Sequence, residues 1–283
     1  MFRDRLITAA LLIPLVVGGI YWVSTEVLAW ILALFVLQGA WEWTRLMGLS
    51  RTITRIAYVL LIAGLLVSTA SIRQQDAILW PMMLVVMLFW CIAVGWIILL
   101  NRQGPVEQRN LPLPLSVFMG IWLLVPTWLA ILWLHGHDEN GPLWVLLLMV
   151  LIWGADSGAY FAGRRWGKHK LAVQVSPGKT WEGVSGGALL ALVIVLPLTV
   201  WLVSVSVSAL TLNWLFYIAL CVITIAFSVC GDLLESVAKR RAGVKDSGQI
   251  LPGHGGVLDR IDSLTAAAPC FTLGLMSLMM GVV

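Results

Sequence analysis

The stretch LPGHGGVLDRID, residues 251–262, places two carboxylates, an arginine, a histidine and three glycines together in a chain that is otherwise strongly apolar. Glycines permit turns and close backbone approach that other residues resist. Upstream, Asp232, Glu235, Ser236 and Lys239 are spaced i, i+3, i+4, i+7, so a helix through 231–241 shows all four on one face. One reading of that face is a solvated helix end whose exposed ion pairs contribute roughly 0.3–0.5 kcal/mol each. The other takes Asp232 and Asp259 together. The glycine-rich return can bring both to one point, where they repel unless a cation joins them. Oxygen-only ligands favour a hard cation, and Mg²⁺ is the usual one where one or two carboxylates share the ion with phosphates. Lys239, Arg240, Arg241, Lys245 and Arg260 supply the complementary positive charge. His254 reads either as part of this site or as a satisfied turn residue.

A second polar segment, 153–183, carries SPGKT at 176–180. A nucleotide-binding P-loop, G-x-x-x-x-G-K-[ST], would need its first glycine at position 173, which is Val173, and no strand is expected here. Ser176, Lys179 and Thr180 can still donate to phosphate oxygens from a non-helical loop. Asp156 lies well along an apolar run, where an ionisable group is costly and by default functional. The alternative is a span that ends near Gly154 and leaves Asp156 in interfacial water. Arg164, Arg165, Lys168 and Lys170 read equally as topology anchors.

The elements that must position these residues follow from composition. Of the 283 residues, 60% are hydrophobic and 11% charged, too little charge to cover a soluble protein of this size. A membrane span takes about 20 apolar residues. Nine runs qualify, near 6–23, 27–44, 56–72, 78–100, 111–134, 143–163, 184–207, 212–231 and 263–283. The fold expected is all-α, a polytopic integral membrane protein forming one membrane domain. Residues 1–142 are mainly scaffold spans; residues 143–283 are the chemical half, with cytoplasmic loops at 164–182 and 232–262. The first run lacks a small-residue cleavage site and is expected to be retained. With a cytoplasmic N-terminus, 17 of the 18 lysines and arginines fall inside and only Arg73 outside. The net charge of +4 is therefore a topology signal, and nucleic-acid binding has no support.

Other features weigh less. Cys91, Cys221, Cys230 and Cys270 lack metal-type spacing and read as packing residues. Trp22, Trp41, Trp43, Trp80, Trp144 and Trp214 lie near span ends, as interfacial anchors do. The loop HGHDENGP (135–142) is dense in potential ligands, His135, His137, Asp138 and Glu139, but falls on the outer face.

The stretch from Ser236 through Lys239-Arg240, Lys245-Asp246, Pro252 and His254-Gly255-Gly256 to Asp259-Arg260-Ile261-Asp262 resembles the signature of the bacterial phosphatidate cytidylyltransferases, also called CDP-diacylglycerol synthases. GADSGAY and SPGKTWEG upstream are similar to that family too, with Ala238 a small departure from its usual larger apolar residue. The resemblance implies that CTP and phosphatidic acid give CDP-diacylglycerol and pyrophosphate in the bacterial cytoplasmic (inner) membrane. It also implies Mg²⁺ on Asp232 and Asp259, a second cation such as K⁺, and a homodimer. Lys239, Asp246 and Asp262 join those aspartates as expected catalytic residues. Asp156, Ser176, Lys179, Thr180, Ser236, Arg240, Lys245, His254 and Arg260 are expected around the nucleotide and lipid phosphate. A CTP-dependent lipid kinase is the nearest rival and a transporter the rival from another class. Clustering of the ionisable residues outside the midplane argues against transport.

Overall fold

The structure, a computed structural model, describes Pro14 and residues 16–205, 213–250 and 255–281. Eight helices among the described residues are long and apolar enough to cross a membrane. They are α1 (Thr25–Leu46), α2 (Thr52–Thr69, continued by a 3₁₀ turn to Gln74), α3 (Asp76–Gln103), α4 (Leu113–Gly136), α5 (Gly141–Trp166), α6 (Trp181–Val205), α7 (Trp214–Arg241) and α8 (Leu258–Met279). They match the last eight of the nine expected runs. Half of the first run lies outside the described residues, and 16–22 are helical.

Two expectations for the polar segments need correction. The connection expected over 232–262 opens with the helical continuation read through 231–241, since α7 runs to Arg241, but its far end is also helical, because α8 begins at Leu258. Asp232 and Asp259 are thus both helical. Between α5 and α6, where no strand was expected, β1 (Lys170–Ala172) and β2 (Ser176–Thr180) pair antiparallel, Lys170 with Thr180 and Ala172 with Ser176. The apolar Ala172 and Val175 are buried beneath this hairpin, and Asn101 of α3 accepts the Gln174 N–H at 3.0 Å. At the hairpin's other end Glu182 accepts the N–H groups of Lys168 and His169, together with the His169 ring at 2.6 Å.

Helices α4 and α8 form the centre of the bundle: 72% of their most apolar stretch is buried in protein, against 17% for α2. Their contact is close and partly polar. Thr127 donates to the Thr265 carbonyl and Thr272 to the Ala130 carbonyl, bonds that hold well where lipid offers no competing partner. The outward faces are lined with large apolar side chains, as lipid requires. Trp43 and Trp144 are buried rather than interfacial, and Trp43 donates to the Ser116 carbonyl at 2.8 Å. His135 is likewise structural, held between Thr25 Oγ1 and the Ile20 carbonyl.

Helices α5 and α6 cross on small residues. A Cβ on Gly158 would come within 2.8 Å of the Gly187 Cα, and one on Gly154 within 3.2 Å of the Ala191 Cα. Approach as close as that at Gly158 is available only to glycine, and the crossing carries β2, which leads directly into α6, on the same side as α5. The basic connections collect at one end of the bundle. Arg241 of α7 donates to the Arg109 carbonyl ahead of α4, and its guanidinium lies 5.6 Å from the Trp96 ring centroid.

Candidate active site

The mixed face expected on α7 forms and is bonded along its length. Ser236 Oγ donates to Asp232 Oδ1 at 3.3 Å, and Lys239 Nζ lies 2.6 Å from Glu235 Oε2. Lys239 also reaches α8, where its ammonium stands 2.7 Å from Asp259 Oδ1. Glu235 is fully buried, so this lysine holds a charge that would otherwise be stranded. The second Glu235 oxygen, Oε1, has no hydrogen-bond partner among the described residues. Asp262, one turn along α8 from Asp259, stands beside Glu235 and within electrostatic reach of Asp232.

Asp259 sits in the first turn of α8, where the exposed N–H groups and helix dipole favour an acid. Its Oδ2 accepts the N–H of Gly256 at 2.8 Å and both the N–H and the hydroxyl of Ser247 at 3.0 Å. The glycine-rich return therefore closes on Asp259 itself. Gly255 adopts a φ of +81°, a left-handed conformation that a side chain resists.

Sequence reasoning missed the residue that anchors this return. Glu42, 3% exposed near the basic end of α1, accepts the backbone N–H groups of Val257 and Leu258 at 3.0 and 2.8 Å. It also accepts the Gln38 amide at 3.0 Å, and the Ser247 hydroxyl lies between Glu42 Oε2 at 3.1 Å and Asp259 Oδ2 at 3.0 Å, its one proton shared between the two carboxylates. A side chain from the scaffold half thus caps the helix that carries Asp259. Gly248 and Gly256 are glycines for the same reason, because a Cβ on either would collide with the Glu42 carboxylate. The available signal was a lone carboxylate inside the apolar run AWEWTR, a costly placement without partners.

Two pockets flank the α7 face. The inner one, about 320 Å³, lies between α5, α6, α7 and β2 and contains Asp156, Thr180, Lys179 and Asp232. Lys179 Nζ is 2.7 Å from Asp232 Oδ2, so β2 delivers its lysine to the first carboxylate of the face. Asp156 is within helix α5, about 15 Å from its end at 1.5 Å per residue, and not beyond the helix terminus. Thr180 accepts the Gly183 N–H at 3.1 Å and is buried. The outer pocket, about 260 Å³, is lined by Ser236, Lys239, Arg240, Lys245, Asp246, Asp259 and Arg260. Ser176 stays apart, at the end of β2 opposite Ala172. His254 lies outside the described residues.

Asp232 and Asp259 thus line different pockets, and each is held by a different lysine. Among the described residues no three His, Cys, Asp or Glu side chains make a ready cage for a metal. Mg²⁺ does not need one, because it commonly takes one or two carboxylates and completes its shell with water and substrate phosphates. Along the α7 face and its two pockets six carboxylates, Asp156, Asp232, Glu235, Asp246, Asp259 and Asp262, stand among five basic side chains, Lys179, Lys239, Arg240, Lys245 and Arg260, all the acidic donors are oxygen, and one buried carboxylate oxygen is unpartnered. That donor chemistry fits a hard cation shared with a phosphate ligand.

Residues 3–278 match the model of the cytidylyltransferase family. The chain is 39% identical over 276 residues to a phosphatidate cytidylyltransferase of Pseudomonas aeruginosa, covering 96% of each chain. It is 37% identical to one of Haemophilus influenzae, over 96% of this chain and 98% of the other. The phosphatidate cytidylyltransferase of Bacillus subtilis matches at 42% over 132 residues, 47% of each chain. A multi-pass bundle whose acid and base face is assembled from α7, α8 and β2 is thereby placed with enzymes of the nucleotidyltransferase type: the chain belongs to the cytidylyltransferase family.

Proposed function

We propose that this chain is a phosphatidate cytidylyltransferase, joining CTP and phosphatidic acid into CDP-diacylglycerol and releasing pyrophosphate. The observation that carries the reading is the face Asp232–Glu235–Ser236–Lys239, closed by Asp259 and Lys179 and flanked by two polar pockets at the basic end of a membrane bundle. By the positive-inside rule that end is cytoplasmic, where CTP is dissolved and lipid headgroups are exposed.

An oxygen of the lipid phosphate forms the new bond to the α-phosphorus of CTP. The bond from that phosphorus to the α,β-bridging oxygen breaks, and pyrophosphate departs with the electron pair. A phosphate monoester has its second pKa near about 6, so the attacking oxygen is already charged and no protein base is required. The protein's work is alignment and charge neutralisation. Lys179, Arg240, Lys245 and Arg260 hold the anionic reactants. Lys239, already bound to Glu235 and Asp259, positions Asp259. Ser247 and Gly256 fix the opposite oxygen of that carboxylate.

Asp232 and Asp259 would hold Mg²⁺, which when bound offsets the charge of the triphosphate. Glu235 and Asp262 offer acidic oxygen for a second cation such as K⁺. The resemblance to the family further implies a homodimer in the bacterial cytoplasmic membrane, testable by mass measurement of the purified protein in detergent.

CTP labelled separately at its α- and γ-phosphates, incubated with phosphatidic acid and Mg²⁺ in mixed micelles, tests the reaction. The expected result is α label in a CDP-lipid and γ label in pyrophosphate. Label from the γ position in the lipid would instead mean a kinase, and no lipid labelling from folded protein would direct attention to substrate flux in liposomes.

A further inference from the structure

We infer that the two substrates bind on opposite sides of the Asp232–Ser236 contact, the lipid phosphate in the inner pocket at Lys179 and the nucleotide triphosphate in the outer pocket at Arg240, Lys245 and Arg260. The inference rests on the proposed cytidylyltransferase reading and divides its basic residues between the reactants.

Depth is the first argument. Helix α7 lines the inner pocket with Ile225, Val229 and Asp232 and the outer pocket with Ser236, Lys239 and Arg240. At 1.5 Å per residue the two sets are centred about 14 Å apart along the axis, with the inner set toward the bilayer. A diacyl lipid keeps its tails in hydrocarbon, since drawing them into water costs about 0.8 kcal/mol per CH₂, and so its phosphate reaches the deeper site more readily. CTP arrives from water at the helix end.

Lining is the second. The inner pocket joins its polar floor to apolar walls, Val184, Ile225 and Val229, and Tyr160 at its edge is 60% exposed on a membrane-spanning helix. One end suits a phosphate and the other an acyl-glycerol. Every side chain lining the outer pocket is polar or charged, and Arg240, Lys245 and Arg260 are exposed to water.

Charge is the third. A nucleoside triphosphate carries more charge than a phosphate monoester, and the outer pocket sets four cationic side chains against Asp246 and Asp259, where the inner sets Lys179 alone against Asp156 and Asp232. Asp156 and Asp232 share the inner pocket, so a phosphate entering it needs cationic charge beyond Lys179. Lipid binding there is accordingly expected to depend on divalent cation. Ser236, which lines the outer pocket, donates to Asp232, which lines the inner one, and this contact is the seam at which phosphate and α-phosphorus would come together.

The test uses the full chain in detergent, with equilibrium binding of radiolabelled CTP and the KM for phosphatidic acid measured by surface dilution in mixed micelles. Lys245→Gln is expected to weaken CTP binding about tenfold and leave the lipid KM within twofold. Lys179→Gln is expected to raise the lipid KM about tenfold and leave CTP binding within twofold. Val184→Trp narrows the inner pocket without changing charge and should follow Lys179→Gln, which keeps the test decisive if either variant fails to fold. The reverse pattern, or equal effects on both substrates, overturns the division. A folded wild-type chain that neither binds CTP nor forms CDP-lipid overturns the proposed function instead.

Discussion

Glu42 accepts the backbone N–H of Leu258 at 2.8 Å, although 216 positions separate the two residues. Four donors meet on that one buried carboxylate, and three of them belong to the segment carrying Asp259. Hydrogen bonds to a charged group contribute about 1.5–3 kcal/mol each, and a stranded buried N–H costs about 1–3 kcal/mol. Glu42→Gln is therefore expected to lower turnover at least tenfold and to speed hydrogen exchange across 247–258 while leaving the remainder of the bundle protected. Unchanged exchange in that segment would show that Glu42 does not hold the return.

Lys239 bridges two carboxylates, one of them fully buried. Removing one partner of such a group costs about 3–5 kcal/mol because a charge is left uncompensated. Lys239→Met should fall by that amount in thermal or denaturant melts. Adding Glu235→Gln should recover much of the loss without restoring turnover, since Asp259 stays misplaced. Recovery of full activity in the double variant would remove Lys239 from the positioning machinery.

Metal dependence separates the two aspartates from their neighbours. Chelation should abolish turnover reversibly, and Asp232→Asn and Asp259→Asn should each lower it by at least a hundredfold in protein that still melts cooperatively. Normal turnover with normal Mg²⁺ dependence in either variant would show that its carboxylate is not a ligand.

Gly256 and Gly95 make a matched pair. A Cβ on Gly256 would strike the Ser247 hydroxyl and the Glu42 carboxylate, whereas one on Gly95 in α3 meets nothing within 4 Å. Gly256→Ala should lose most activity. Gly95→Ala should keep it and gain about 0.5–1 kcal/mol from its helix preference. Equal activities would mean that the return tolerates displacement.

The spans and the α7 face were legible because each depends on a local pattern, a long apolar run or a 3.6-residue period. Lys179 could be recognised as a phosphate donor from SPGKT, but its partner could not, because the Lys179–Asp232 pair depends on how α5 and α6 cross. The hairpin escaped notice since two strands of three and five residues carry too few positions to show alternation. Glu42 stood out as a lone acid in an apolar run, but what it holds was illegible for a related reason. Its donors are backbone groups of residues far along the chain, and backbone groups leave no mark on composition. The expected loop at 258–262 proved to be a first helical turn, where Asp259 itself supplies the acid that a helix start favours.

The bond between Glu42 and the start of α8 also has a consequence in time. At about 5–20 residues per second, roughly 10–40 s pass between synthesis of the carboxylate and synthesis of the amide it will hold. Throughout that interval α1 carries an acid whose eventual backbone partners do not exist, because the glycine return and the start of α8 are made only at its end. The catalytic end of the bundle is consequently the last part of the newborn chain to take shape, and a ribosome that stops before residue 258 leaves an inserted but inert protein.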